Sequence, residues 1–112
     1  MIRRYIPEAG DIVWLQFNPQ AGHEQAGHCP ALVVSPSSYN DKTGLMLCCP
    51  MTTQVKGYPF EVLIASERPC AVLADQIKSL DWQARNIEFA TKLPESLIGD
   101  VLKKIEALLA SY

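Results

Sequence analysis

Through its first three-quarters the chain sets short apolar runs between clusters of turn-forming residues. Ile12–Phe17 is rich in β-branched and aromatic positions and predicts a first strand behind Gly10-Asp11. Ala31–Ser35 predicts a second, stopped by Pro36, and Leu45–Cys49 a third, closed by Pro50. Phe60–Ile64 and Cys70–Ala74 follow, separated by a polar turn at Ser66-Glu67-Arg68-Pro69. Asp75–Trp82 reads as a strand end leading into a tight turn. Between the second and third strands, Ser37–Asn40 suits a turn or one helical turn, and Asp41–Gly44 a hairpin-type connection.

Near the C-terminus the period changes. Leu97, Ile98, Val101, Leu102, Ile105, Leu108 and Leu109 fall on one helical face, opposite Asp100, Lys103, Lys104 and Glu106. Pro94 and Glu95 suit the first turn, because proline lacks only an N–H that would be unpaired there. Gly99 lies on the polar face and costs about 1 kcal/mol relative to alanine. This helix is expected to pack on the strands and to carry no chemistry. Short strands spaced every ~10 residues predict a mainly β, α+β fold, a small barrel or sandwich, with a short helix and a C-terminal amphipathic helix. At 112 residues the whole chain, 1–112, is expected to form one domain.

Composition narrows the classes. No apolar run approaches the ~18 residues of a membrane span, and the basic pair Arg3-Arg4 is followed by no apolar stretch of a signal peptide. A cytoplasmic location and no membrane association are expected. Cys29, Cys48, Cys49 and Cys70 therefore suggest no disulfide framework. Alternation sends Cys48 and Cys49 to opposite faces of their strand, and three of the four read as small buried hydrophobes. Ten Lys and Arg against twelve Asp and Glu leave a net charge of -2, so no global basic footprint for nucleic acid exists. An RNA site would need a local cluster drawn from Arg3, Arg4, Lys42, Lys56, Lys78 and Arg85.

Chemistry-bearing residue types concentrate in Asn18–Pro36, NPQAGHEQAGHCPALVVSP, where a polar stretch with two histidines runs into a buried strand. Here the chain resembles the MazF/PemK family of toxin endoribonucleases. The likeness rests on Asn18-Pro19, Gly22-His23-Glu24-Gln25, Pro30-Ala31, Pro50-Met51-Thr52-Thr53-Gln54, Lys56-Gly57-Tyr58-Pro59-Phe60-Glu61 and Leu73-Ala74-Asp75-Gln76-Ile77-Lys78. The MazF branch is the better match. One departure stands out: the family usually carries an arginine before the loop proline, and this chain has Cys29.

The resemblance implies an SH3-like barrel and metal-free, cofactor-free cleavage of single-stranded mRNA at a short sequence. The products would be a 2′,3′-cyclic phosphate and a 5′-hydroxyl. It also implies a homodimer, a MazE-like antitoxin whose acidic tail covers the RNA groove, and DNA contact only through that antitoxin complex. The histidine matching His23 is a general base in the PemK branch, which also uses an Arg-x-Asp pair; Asp75 is present, but Leu73 holds the arginine position. The threonine matching Thr52 is catalytic in the MazF branch, together with the missing arginine. The catalytic candidates are thus Cys29, Thr52, His23, Glu24 and Asp75. Candidates for RNA binding are Phe17, Gln25, His28, Thr53, Gln54, Lys56, Gln76 and Lys78, by stacking or by hydrogen bonds to unpaired bases.

Cys29 removes a guanidinium able to grip two phosphate oxygens, so weakened activity is expected. A catalytically inactive RNA- or antitoxin-binding module is the alternative. Two further readings use the same residues: a Cys29 thiol nucleophile beside His28, and a zinc site from His23, His28 and Cys29. The spacing matches no common zinc site. Trp14 is expected in the core or an interface, and Gln76 and Lys78 could equally form a structural network with Asp75.

Overall fold

The computed structural model describes residues 5–17, 22–23, 27–65 and 68–110. The elements in order are β1 (Asp11–Gln16), β2 (His28–Val33), α1 (Ser37–Thr43), β3 (Leu45–Thr52), β4 (Glu61–Ile64), β5 (Cys70–Leu73), a 3₁₀ turn at Ala74–Gln76, β6 (Lys78–Asp81), β7 (Glu88–Lys92) and α2 (Glu95–Ala110). The sheet order is β4-β5-β3-β2-β1-β7, with β6 also paired to β3, and neighbouring strands are antiparallel. The expected α+β class with two helices is therefore realised, but the ladder ends at β4 and β7 and is not closed into a barrel. The reason lies in β3. One of its edges takes β2, while the other takes β6 along Leu45–Cys48 and β5 at Met51–Thr52.

Several boundaries differ from the pattern. Strand β2 begins at His28, three residues before Ala31, with Leu15 opposite Cys29 and Trp14 opposite Pro30. Strand β3 runs through Pro50 to Thr52, because its edge changes partner there and β5 takes over the pairing. Helix α1 absorbs Asp41–Thr43 and ends on Gly44, whose left-handed backbone sends its N–H back to the Asn40 carbonyl. Strand β7 has all five residues exposed, so no apolar alternation announces it. It is held by its ladder to β1.

Alternation along the strands separates two apolar layers. Ile12, Leu32, Cys49, Met51, Val72, Val101 and Ile105 form one, under α2. Val13, Leu15, Phe17, Ala31, Met46, Cys48 and Trp82 form the other. Cys48 and Cys49 thus lie on opposite faces as expected. Burial pushes both thiols up to about 12, aided by charge repulsion between them at Cys48 and from Asp75 at Cys49. At neutral pH they remain protonated and inert. The contact face of α2 is narrower than its apolar stripe: Val101 and Ile105 are buried, whereas Leu102, Leu108 and Leu109 are exposed. Close approach to the sheet is possible because residue 10 is glycine. A Cβ there would stand 2.6 Å from Ile98 Cδ1, on a backbone of φ +96°.

A buried polar knot ties α1 to three other segments. The Ser35 hydroxyl donates to Asn40 Oδ1 (2.5 Å), and Asn40 Nδ2 donates to the Pro7 carbonyl (2.8 Å). Trp82 Nε1 donates to the Asn40 carbonyl (2.9 Å), and the Leu47 N–H donates to Ser35 Oγ (2.9 Å). Among the described residues no buried side-chain N or O lacks a partner. Replacing Asn40 with alanine would strand the Ser35 hydroxyl and the Pro7 carbonyl, and is expected to cost about 2 kcal/mol in urea unfolding. Gly99→Ala should do the reverse. A Cβ at this helix-interior position meets no atom within 4 Å, so a gain of about 1 kcal/mol is expected.

Candidate functional site

Two clefts meet where β3 leaves the sheet. The first, an open space of about 560 Å³, is bounded by Trp14, His28, Cys29 and Pro30 on one side. Met51–Gln54 form its floor, and Arg68 and Cys70 its far side. The second, about 350 Å³, is lined by His23, Lys56, Tyr58, Phe60, Glu61, Leu73, Asp75 and Gln76. Thr52 and Gln54 line both. The ladder explains the arrangement. Thr52 pairs with Ala71 at the last step of β3, and its half-buried side chain sits at the seam. Its oxygen accepts the Gln54 N–H at 3.0 Å, a turn that leaves the hydroxyl hydrogen as a donor.

The sequence candidates divide between these clefts. His28, Cys29 and Thr53 line the first, and His23, Lys56, Asp75 and Gln76 the second. Glu24 and Gln25 lie outside the described residues. Phe17 and Lys78 line neither cleft. Phe17 continues the inward-facing series Val13, Leu15 and is 3% exposed, so its ring belongs to the core and is not offered to a base. Lys78 Nζ lies 5.7 Å from that ring's centre. Gln76 Nε2 makes a long, 3.5 Å contact to the His23 carbonyl. Trp14, expected in the core or an interface, is 39% exposed and stacks on His28 with ring centres 5.3 Å apart.

Two alternative chemistries lose their geometry. Because β2 reaches back to His28, strand alternation turns His28 outward while Cys29 is only 8% exposed. Both border the first cleft, but neighbouring side chains on a strand leave its opposite sides, which is not the arrangement of a nucleophile–base pair. His23 lines the second cleft and His28 and Cys29 the first. Among the described residues no three His, Cys, Asp or Glu side chains cluster as metal ligands.

Two residues at the site are not among the sequence candidates: Arg68 carries no motif-level signal, whereas Glu61 closes the Lys56-Gly57-Tyr58-Pro59-Phe60-Glu61 motif. Arg68 belongs to the polar turn between β4 and β5, and only the β5–β3 register brings it to the first cleft. Glu61 starts β4 and shapes the second. Its carboxylate accepts the N–H groups of Lys56 (3.2 Å), Gly57 (2.6 Å) and Tyr58 (3.1 Å). Gly57 takes φ +80°, which glycine adopts without strain. The loop that presents Lys56 and the exposed Tyr58 ring is thereby folded onto one carboxylate. Lys104 of α2 adds a bond to the Pro59 carbonyl. Desolvation pushes the Glu61 pKa up, but the three backbone bonds and the Lys56 charge outweigh it and hold the carboxyl below its ordinary range. The paired clefts thus combine the Thr52 and Thr53 hydroxyls, two imidazoles, two carboxylates, two long cations and exposed aromatic rings. That set suits a single strand carrying phosphates and unstacked bases.

Comparison with known proteins gives the same direction. The family model described as PemK-like, MazF-like toxin of type II toxin-antitoxin system matches residues 8–109. The endoribonuclease toxin MazF of Escherichia coli K12 is 54% identical over 99 residues, which cover 87% of this chain and 89% of that protein. The crystal structure of MazF from Deinococcus radiodurans superposes with a TM-score of 0.89 at 49% identity, covering 95% of this chain and 98% of that one. A MazE-MazF crystal structure from the same organism gives 0.85 at 48% identity, covering 97% and 100%.

The Glu61 carboxylate has a testable signature. A depressed pKa means its stabilisation is complete above the ordinary glutamate value and is lost as the pH falls through the lower folded value. Urea midpoints followed from neutral to acid pH should show an acid limb that Glu61→Gln flattens. An unchanged limb would mean that other carboxylates produce it.

Proposed function

This chain belongs to the PemK-like, MazF-like toxins of type II toxin–antitoxin systems, and from that premise we propose that it is an endoribonuclease that cuts single-stranded RNA along its two joined clefts. The observation that carries the reading is the position of Thr52: one hydroxyl on the wall shared by both clefts. In the reaction the ribose 2′-oxygen bonds to the adjacent phosphorus as its proton leaves to a base. The bond from phosphorus to the 5′-oxygen breaks, and that oxygen takes up a proton. A 2′,3′-cyclic phosphate and a 5′-hydroxyl result, with no metal or cofactor required.

The roles follow the chemistry of each group. The Thr52 hydroxyl donates to a non-bridging phosphate oxygen. His23, with Glu24 beside it in sequence and Asp75 across the second cleft, supplies the proton transfers. Lys56, Gln54, Thr53 and Gln76 contact phosphate or base edges. Cys29 weakens the site, because a thiol brings no positive charge to the phosphorane. Loss of one such donor typically costs roughly 10²–10³ in rate. The partner is a MazE-type antitoxin, supported by the relatives from Deinococcus radiodurans solved as MazE-MazF complexes. The toxin would act as a homodimer and meet DNA only through that complex. No helix among the described residues is long and apolar enough to cross a membrane, and an mRNA substrate places the protein in the cytoplasm.

A binding module that keeps the groove but does not cut is the second reading, favoured by the uncharged side chain at position 29. Incubation of the protein, Cys29→Arg and Thr52→Ala with a mixed-sequence RNA in EDTA, followed by end mapping, separates the two. The parent is expected to cut slowly, Cys29→Arg at the same motif and faster by up to about 10²–10³-fold, and Thr52→Ala not detectably. If neither the parent nor Cys29→Arg cuts, while RNA is still retarded in a gel, the binding module takes the enzyme's place.

A further inference from the structure

We propose that Arg68, on the turn between β4 and β5, is the cation that holds the scissile phosphate in the first cleft. The proposal rests on the reading of this groove as an RNA-cleaving site. Among the described residues lining that cleft, Arg68 is the one permanently charged side chain. It faces the same space as Thr52 and Cys29, and it arrives there by a constrained route. Cys70, two residues on, is held in the ladder opposite Ile64. The same strand is locked to the end of β3, with Ala71 opposite Thr52 and Val72 opposite Met51. Arg68 thereby leads into β5 close to the last residue of β3. Cys29 comes from β2, on the opposite edge of β3, so the cleft receives its charge from the side away from position 29.

The chemistry of the side chain suits this place. A guanidinium presents a planar fork that matches two non-bridging phosphate oxygens, and it stays charged at any working pH. Arg68 is exposed and lines the cleft. In the reaction it neither forms a covalent bond nor passes a proton. It neutralises charge that grows on the non-bridging oxygens while the 2′-oxygen bonds to phosphorus and the 5′-oxygen leaves. On this account the chain retains a phosphate grip despite Cys29, with the cation supplied from the neighbouring strand pair. The scissile phosphate then sits at the Thr52 seam, with Arg68 on its first-cleft side and the proton-transfer groups His23 and Asp75 on its second-cleft side, where Lys56, Tyr58 and Gln76 also face a neighbouring base.

The experiment compares Arg68→Gln and Arg68→Lys in the parent and in Cys29→Arg, with the full chain and mixed-sequence single-stranded RNA in EDTA. In the parent, Arg68→Gln should lower kcat by about 10²–10³ with a smaller change in KM, and Arg68→Lys should retain part of the rate. In Cys29→Arg the same Arg68→Gln change should cost less than about tenfold, because the two cations serve one phosphate and their effects are not additive. Parental rates for Arg68→Gln in both backgrounds would overturn the proposal while leaving the nuclease reading intact, since Thr52→Ala tests that reading separately. If nothing cuts but RNA is retained, the salt dependence of binding decides: Arg68→Gln should reduce the slope of log K against log salt by about 0.7. An unchanged slope overturns the role of Arg68. Neither cutting nor retention of RNA by the parent and Cys29→Arg overturns both readings. Matching thermal midpoints across the variants identify a lost side chain rather than a lost fold.

Discussion

The pairing of β3 on both of its edges is the constraint on which the rest of the structure depends. Its eight residues join β2 on one side and β6 and β5 in succession on the other. Its buried side chains are therefore assigned to two apolar layers, Met46 and Cys48 to one and Cys49 and Met51 to the other. A slip of one residue would exchange those layers. The change of partner after Cys48 also divides the sheet, lets β5 and β4 turn away, and leaves the end of β3 as a ridge. The two clefts are the spaces on either side of that ridge, and Thr52 stands on it.

What surrounds the ridge is held by polar contacts as much as by packing. Glu61 gathers three consecutive backbone amides and so shapes the loop bearing Lys56 and Tyr58. Asn40 does similar work at the opposite end of β3, where its side chain and carbonyl join Ser35, Pro7 and Trp82. Both are buried polar residues whose satisfied bonds fix a backbone path, the arrangement in which a polar group specifies structure without a desolvation penalty left open. A site for RNA needs this rigidity, because charge stabilisation depends on donors already aimed at the phosphate.

Charge is the second organising quantity. The chain is slightly acidic overall, so affinity for a polyanion cannot come from its global field. On the proposed reading it comes from Lys56 in one cleft and Arg68 in the other. Such a site favours a short contact with one or two phosphates over a long electrostatic track. It also leaves the groove open to competition by an acidic segment of a partner protein, which would find the same two cations.

The sequence by itself determined the class of fold, most of the strands and the amphipathic C-terminal helix, because each follows from local periodicity and turn chemistry. It also determined the opposite fates of Cys48 and Cys49 and the family, since Gly22-His23-Glu24 and Thr52-Thr53-Gln54 are contiguous motifs. Strand β7 was not legible, because its residues are all exposed and only the ladder to β1 holds it. The start of β2 and the end of β3 were hidden by Pro30 and Pro50, which sit within paired strands. Phe17 illustrates the same limit from the other side: next to a polar loop it reads equally as a packed side chain or a base-stacking ring, and only the inward parity of β1 decides for packing. The site was legible only where its residues lie in motifs. Arg68 reads as part of a polar turn until β5 pairs with β3. That long-range register, which no local pattern encodes, places it in one cleft with Thr52 and Cys29.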